Sequence, residues 1–433
     1  MGETGAPLAA ASRTPTDARS AAAIRSHVRS PSAVRQPAWR DLAAVAAAGL
    51  LLGCLLLAGQ ILRLGSEPTA PFVVGTSWGL DEALAARGLE VTTTAGHGYD
   101  GQWFLGLAYD PLLGQQLAAS FDMPRYRAGR PLQAFAGWLL AGGRPGAIPV
   151  GLLAVGPLAV ALGCAASGRL LAGCGRSRWW GLGFALVPGV AVGVAFATAE
   201  PLALALATLG LSLTLDRRVM AGGLAYAGAA LTKESYLVFA VVAAAWLALG
   251  AGRRVRGWGE AAAVVVPGVL VMGLWWAYVA WRIPASGGDS EALGAIGPPV
   301  AGWLHAVGLV IGGDYVPDAP VGPLGAALLV GSLVLIAAAI LVGLRRTTLL
   351  NWTGLVLGAY GLLLSGELLG RFLSSMRALA PTILAACLAV GAGLASTANS
   401  TCSGRATSSW PRLDPRPPRR SGGRRPPSSP HAS

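Results

Sequence analysis

The stretch AGHGYDGQWFLGLAYDP, residues 95–111, gathers an acid, a histidine and several aromatics in a chain that is otherwise largely apolar. Asp100 stands at its centre, preceded by Tyr99 and followed by Gly101, Gln102, Trp103 and Phe104. The residues after it fit a short helix, with Trp103 and Leu107 on one face and Phe104 and Ala108 on the next. Pro111 ends that helix. Asp100 then occupies the N-cap position, where a carboxylate takes up free backbone N–H groups of the first turn. The functional alternative is an active-site acid held against the outer face of a membrane. The surrounding chain has to decide between them.

Working outward, the chain is 54% hydrophobic and only 12% charged, a membrane composition. The apolar run Leu42–Leu62 is long enough to cross a bilayer. An arginine-rich segment of about 40 residues precedes it and no small-residue cleavage signature follows, so it reads as an uncleaved signal-anchor. Arginines in front of it put the N-terminus inside. Residues 65–130 then form a large outer loop rich in acids, including Asp81, Glu90, Asp110 and Asp122. The piece Arg130–Ala141 is apolar but too short to span, so it is expected to dip into the interface or re-enter the bilayer.

Further apolar runs alternate with arginine clusters as the positive-inside rule requires. They cover 147–171, 179–197, 201–215, 219–231, 236–249, 261–281, 324–344, 349–365 and 378–394. A second outer loop, about 283–322, carries Asp289, Glu291, His305, Asp314 and Asp318. The expectation is an all-α integral membrane protein with about ten transmembrane helices, a polytopic domain over residues 41–395 and both termini cytoplasmic in the cell membrane.

The tails hold most of the excess charge: six arginines against two acids in residues 1–40, and seven against one in residues 395–433. Both are rich in Pro, Ser, Arg and Gly with too few apolar residues for a core, so 1–40 and 396–433 read as disordered. Beside a membrane body, such tails meet anionic lipid headgroups rather than nucleic acid. The five cysteines fall in apolar spans or on inner segments and match no zinc pattern, so no disulfide framework is implied.

Four clusters of ionisable groups converge on the outer face: His97–Asp100, Glu200, Lys233–Glu234 and Glu367–Arg371. Charges at span ends are costly unless paired or functional, which makes each a candidate. Lys233 is the only lysine among 33 basic residues, as if a compact ammonium were needed there. Its bland alternative is snorkelling, or pairing with Glu234. Arg125, Arg127 and Arg130 lie on the outer side against the positive-inside bias. Arginine forks suit phosphate oxygens, and the bland alternative is salt bridging to loop acids.

These pieces resemble the GT-C superfamily of polytopic glycosyltransferases, in particular bacterial relatives of the GPI mannosyltransferase family and membrane proteins linked with cell-surface glycopolymer formation. The matching segments are GYDGQWFLGLAYDP (98–111), YRAGRPL (126–132), AEPLALALATLGL (199–211) and ALTKESYLVFA (230–240), spread over residues 40–395. The resemblance implies a GT-C-like fold and transfer of a sugar from a polyprenyl-phosphate donor to a glycan or lipid acceptor on the outer face. It implies Asp100 as the reaction-centre acid, either a base or a ligand for a divalent cation such as Mg or Mn. Substrate contacts are then expected from His97, Tyr99, Gln102, Trp103, Tyr126, Arg127, Arg130, Glu200, Lys233, Glu234 and Arg371. Tyr99, Trp103 and Tyr126 would stack on sugar faces, and Arg127, Arg130 and Lys233 would hold phosphate. Many members carry two adjacent acids, whereas Asp100 has no acidic neighbour before Asp110, leaving Glu200 or Glu234 as second acids. The readings from other classes are a transporter or flippase of lipid-linked saccharides and a non-catalytic scaffold for envelope assembly.

Overall fold

The computed structural model describes residues 38–114, 117–250, 255–284, 297–312, 322–345, 348–369 and 371–398. Most of both basic tails, and Asp289, Glu291, Asp314 and Asp318 of the expected second outer loop, lie outside the described residues, whereas part of that loop is the helix Ala301–Gly312. Of the described residues 79% are helical, and strands are minimal. Among the described residues the only sheet is a parallel pair of two-residue strands, β1 (Val74–Gly75) and β2 (Thr93–Thr94). In hydrocarbon every backbone N–H and C=O must be satisfied within its own segment, and helices do this.

Every apolar run of the sequence is helical, but their lengths differ. Five stretches are long and apolar enough to cross a membrane: Trp39–Arg63, Pro145–Gly173, Gly257–Arg282, Ala327–Leu344 and Leu373–Ala392. Their outward faces present Leu51, Leu55, Leu62, Val266, Leu270 and Leu274, as suits contact with acyl chains. The expected ten spans reduce to five by this criterion, or six with one bent pair. That pair, Arg178–Leu186 and Pro188–Ala195, bends by 60°. Pro188 forces Val187 into an extended conformation, so a straight span through 179–197 cannot form. Glu200–Leu215, Val219–Thr232 and Leu349–Leu362 hold 16, 14 and 14 residues. At ~1.5 Å per residue they cover about 21–24 Å, short of a hydrocarbon core of about 30 Å.

The bundle has one basic end. There Arg169 pairs with Asp216 at 2.8 Å and Arg217 with Glu260 at 3.3 Å, while Arg176 donates to the Gly391 carbonyl. The loop after the first span folds over the other end and builds its own core from Phe72, Leu80, Leu84, Trp103, Phe121 and neighbours. Within it the helix Leu132–Leu140 packs at Gly137 against Leu152 of Ile148–Gly173. The loop is therefore a compact cap. It places residues 97–130 over the ends of the helices that begin at Glu200 and Phe372 and end at Thr232.

If the basic end faces the cytoplasm, a single cysteine at exposed Ser77 should react with a membrane-impermeant maleimide on intact cells. One at exposed Arg218 should react only after permeabilisation. The reverse pattern would turn the capped end inward.

Candidate functional site

The segment before Asp100 is shaped by its glycines. Gly98 has φ +71° and lies so close to the backbone of Val73 and Gly75 that a Cβ would meet the Val73 carbonyl oxygen and the Gly75 nitrogen at 2.5 Å. Gln102, fully buried, clamps the same turn: its amide nitrogen donates to the His97 carbonyl at 2.7 Å and its oxygen accepts from Gly75 N at 3.0 Å. The helix Gly101–Tyr109 follows as expected, with Asp100 at its N-cap. Yet Asp100 is already helical (φ −58°, ψ −25°) and its side chain makes no capping bond. The carboxylate turns away from the helix end. Plain capping is thereby excluded.

Asp100 instead lies between two guanidinium groups. Arg127 Nη1 donates to Oδ1 at 3.0 Å and Arg377 Nη2 donates to Oδ2 at 2.7 Å. Arg127 is shared with Asp122, which accepts from its Nε at 2.9 Å and Nη2 at 2.8 Å. Arg377 is shared with Glu200 at 2.8 Å, and Glu200 in turn accepts from Lys233 at 2.9 Å and from the Thr198 hydroxyl. Acids and bases thus alternate along one continuous string: Asp122, Arg127, Asp100, Arg377, Glu200, Lys233. Beside it, Arg130 grips Glu234, with its Nε at 2.7 Å, and donates to the Tyr126 hydroxyl below its own guanidinium.

Exposure separates the two carboxylates on Arg377. The Asp100 side chain is 24% exposed and that of Glu200 0%, so an incoming molecule reaches Asp100 while Glu200 orients the arginine from behind. Burial works against the charge of Asp100. Arg127, and then Arg377, outweigh it and hold the carboxyl well below the usual range. Burial also pushes the Tyr99 phenol up to about 12, so it stays protonated.

The expected residues divide clearly. Asp100, Arg127, Arg130, Glu200, Lys233, Glu234 and Tyr126 come together. Tyr99 joins them, packed on Phe196 and lying under Arg377. Lys233 pairs with Glu200 rather than with its neighbour Glu234. Arg127 is bridged to the loop acids Asp100 and Asp122, as the bland alternative required, whereas Arg130 pairs with Glu234 outside that loop and Arg125 donates to the Ile283 and Ala280 carbonyls. Trp103 cannot stack on a sugar: it is 3% exposed, packed against Phe121 with Arg127 over its ring. Gln102 is likewise consumed by backbone bonds. His97 is exposed beside Trp78, at 5.6 Å between ring centroids, and does not point a nitrogen into the string. Arg371 is exposed and joins no described ion pair, and the side chain of Glu367 lies outside the described residues.

Arg377 is the residue that sequence reading missed. It lies five residues into Phe372–Ala398, inside the apolar stretch Leu373–Ala392, where an unpaired charge is prohibitive. A span drawn from Ala378 excludes it by one residue and hides that signal. Gly189 allows the approach that seats it, since a Cβ there would meet the Met376 carbonyl at 2.3 Å and the Arg377 Cα at 3.1 Å.

Chemically the cluster offers three partly open carboxylates, Asp100, Asp122 and Glu234, with three arginines and a lysine among them, a set suited to an anionic group next to a proton acceptor. No trio of His, Cys, Asp or Glu side chains among the described residues is placed to hold a metal ion. Both Asp100 oxygens are engaged by arginine, so a cation there would have to displace a guanidinium. The chain matches no protein-family model and no curated protein sequence.

Two measurements test the string. Arg377→Gln leaves two carboxylates short of a partner and should cost about 3–5 kcal/mol of stability. Adding Glu200→Gln should return part of that loss, whereas additive losses would mean that the two residues do not communicate. The second test is pH. Asp100 has a depressed folded-state pKa, so its pairing contributes fully above the unfolded value of about 3.9 and is lost as pH falls through the folded value. Thermal stability in detergent should therefore owe no pH dependence to this group between about pH 5 and 8. Below about pH 4 the parent should lose stability more steeply than Asp100→Asn.

Proposed function

We propose that this protein is a membrane glycosyltransferase of GT-C type, moving a sugar from a polyprenyl-phosphate donor to a glycan or lipid acceptor at the non-cytoplasmic face of the cell membrane. The observation that carries the reading is the placement of Asp100. Its carboxylate is withdrawn from helix capping, left partly open and set between arginine side chains at the capped end of the bundle.

The reaction needs a base for the acceptor hydroxyl and cations for the departing phosphate. In the proposed course the acceptor oxygen attacks the anomeric carbon as its proton passes to Asp100. The bond from that carbon to the phosphate oxygen breaks, and polyprenyl phosphate leaves with the electron pair. Clamped by two arginines, Asp100 is a poor base, because a useful base has a pKa near the working pH. A donor phosphate competes for the same guanidinium groups. Drawing Arg127 toward phosphate would weaken its hold on Asp100 and raise the carboxyl's basicity only when donor is present. Lys233 and Glu200 keep Arg377 in register meanwhile. If a divalent cation takes part, Asp100 is the ligand on offer, and the cation would add Lewis-acid stabilisation of the leaving phosphate.

A transporter of lipid-linked saccharides is the second reading, and Arg377 within an apolar helix is the observation in its favour. Against it, Arg377 lies only about 7.5 Å from the helix start at ~1.5 Å per residue, near the capped end and away from mid-span. The deciding experiment supplies purified protein with labelled polyprenyl-phosphate sugars and measures transfer. Asp100→Asn should fold with comparable membrane yield and lose about 10²–10⁴-fold in transfer. Transfer within a few-fold of the parent would remove Asp100 from the chemistry. Loss of parental activity with a chelator, and its return with Mn²⁺ or Mg²⁺, would mark Asp100 as a metal ligand rather than a base.

A further inference from the structure

The short helix Pro124–Ala128 carries Arg125 and Arg127 two residues apart. That spacing is about 200° around the helix axis, so the two side chains leave on opposite sides. Arg127 turns inward to Asp100 and Asp122. Arg125 turns outward to the end of Val255–Arg282: its Nε donates to the Ile283 carbonyl at 2.8 Å and its Nη2 to the Ala280 carbonyl at 3.2 Å. A helix ends on carbonyls without partners and on the negative end of its dipole, so a guanidinium there satisfies two oxygens and is favoured by its charge. The loop is fastened to the same helix twice more beside this turn. Trp275 Nε1 donates to the Ala128 carbonyl at 2.8 Å, and Gly129 lies so close to Trp276 that a Cβ would meet its ring at 2.6 Å. Residues 125, 128 and 129 thus dock on the helix end, while Arg127 between them faces Asp100.

The helix end depends on the loop in turn. Pro267 interrupts the backbone ladder of Val255–Arg282 and leaves the Ala263 carbonyl without its helical donor. Gly223 packs onto that carbonyl, where a Cβ would come within 2.1 Å, and this seats the inner half on Val219–Thr232. The outer half exposes Val269, Leu270, Leu274 and Trp281. Its last turns bond to the loop: besides Arg125, Tyr278 donates to the Leu112 carbonyl and Arg282 to the Leu113 carbonyl at 2.7 Å.

We propose that Arg125 is a positioning residue for Asp100: by gripping the end of Val255–Arg282 it sets the tilt of its own helical turn, and with it the reach of Arg127 to the carboxylate. Arg125 forms no ion pair among the described residues, and its bonds go to backbone oxygens, so what it registers is the place of a helix. Loosening it would move Arg127 without removing a charge that touches Asp100. The consequence for sugar transfer rests on the reaction proposed above. The control of the Arg127–Asp100 contact stands without it.

The test measures coupling first, on full-length protein in detergent at neutral pH. The Tm losses of Arg127→Gln, Asp100→Asn and the double variant give the non-additivity of the pair. The cycle is then repeated in Arg125→Ala, Arg125→Lys and Arg282→Ala backgrounds. Arg125→Ala should shrink the non-additivity by about twofold or more, and Arg125→Lys, which still offers donors to the carbonyls, should restore part of it. Arg282→Ala loosens the same helix end without touching the turn of Arg127, so it should lower Tm and leave the non-additivity as it was. Trp275→Phe removes one donor to that turn and keeps a ring; it should act like a milder Arg125→Ala, and it decides the matter if Arg125→Ala does not fold. A parental pair that is already additive, coupling that neither Arg125→Ala nor Trp275→Phe moves, or an equal drop in Arg282→Ala would each reduce Arg125 to an ordinary structural contact. Sugar transfer on the same samples separates this proposal from the enzyme reading. Arg125→Ala should lower transfer by about tenfold or more, with partial recovery in Arg125→Lys. Reduced coupling with transfer at the parental rate would sink the positioning role. Reduced coupling in a parent that transfers no sugar keeps the clasp and removes the enzyme, whereas parental transfer with unmoved coupling keeps the enzyme and removes the clasp.

Discussion

The ion pairs of Arg377 with Asp100 and Glu200 tie three distant parts of the chain together. A guanidinium inside an apolar helix has no stable alternative to such partners, because breaking a buried pair leaves an uncompensated charge in a low dielectric. Glu200 is caught in the same way: fully buried, it needs Arg377, Lys233 and Thr198 together. The loop that carries Asp100 is therefore pulled onto the bundle by the requirement to satisfy charges already committed to the helices. Apolar packing of Phe72, Leu80 and Trp103 makes the loop compact. The ion pairs set where it rests.

The alternation of sign along the string has a second consequence. Each inner member is shared by two opposite charges, so removing or recruiting one side chain changes the electrostatics of the next. Asp122, Asp100, Glu200 and Glu234 are matched by Arg127, Arg377, Lys233 and Arg130, four against four. A matched set holds together without a guest, while a phosphate arriving among it must take guanidinium contacts from a carboxylate. In the proposed reaction, competition of this kind would turn binding energy at the phosphate into a change at Asp100, as differential stabilisation of the transition state requires.

Much of this was legible in the residues, and the failures share a physical cause. Every apolar run is a helix, because hydropathy reports composition directly. Their number as spans was not legible, since Val219–Thr232 and Leu349–Leu362 are as apolar as a span but too short to be one. The oddity of a single lysine rightly marked Lys233, but its partner is Glu200, thirty-three residues earlier, and sequence proximity favoured Glu234. Trp103 and Gln102 read as ligand contacts because they flank Asp100. Only the fold reveals that the loop has a core of its own and spends both on it. Arg377 was visible as an arginine within an apolar run, and drawing the span one residue too late concealed it.

The two sides of Asp100 differ in a way that bears on the order of events in the proposed reaction. Toward Arg130 the surroundings turn apolar within one residue, at Pro131, and continue over Leu132, Phe135 and Leu274. Toward His97 they turn aqueous: Trp78 is 36% exposed, His97 stands beside it, and the Trp78 ring meets edge-on that of Trp103, which lies under Arg127. A lipid-borne donor and a water-borne acceptor glycan would thus meet Asp100 from opposite directions. The donor side holds arginine and the acceptor side holds aromatic faces, which are the groups that phosphate and sugar respectively prefer. With the donor phosphate drawing on Arg127, Asp100 would become basic only after the lipid is seated. A hydroxyl arriving first would find a carboxylate still neutralised by two arginines, so the arrangement disfavours proton abstraction from water while no donor is bound.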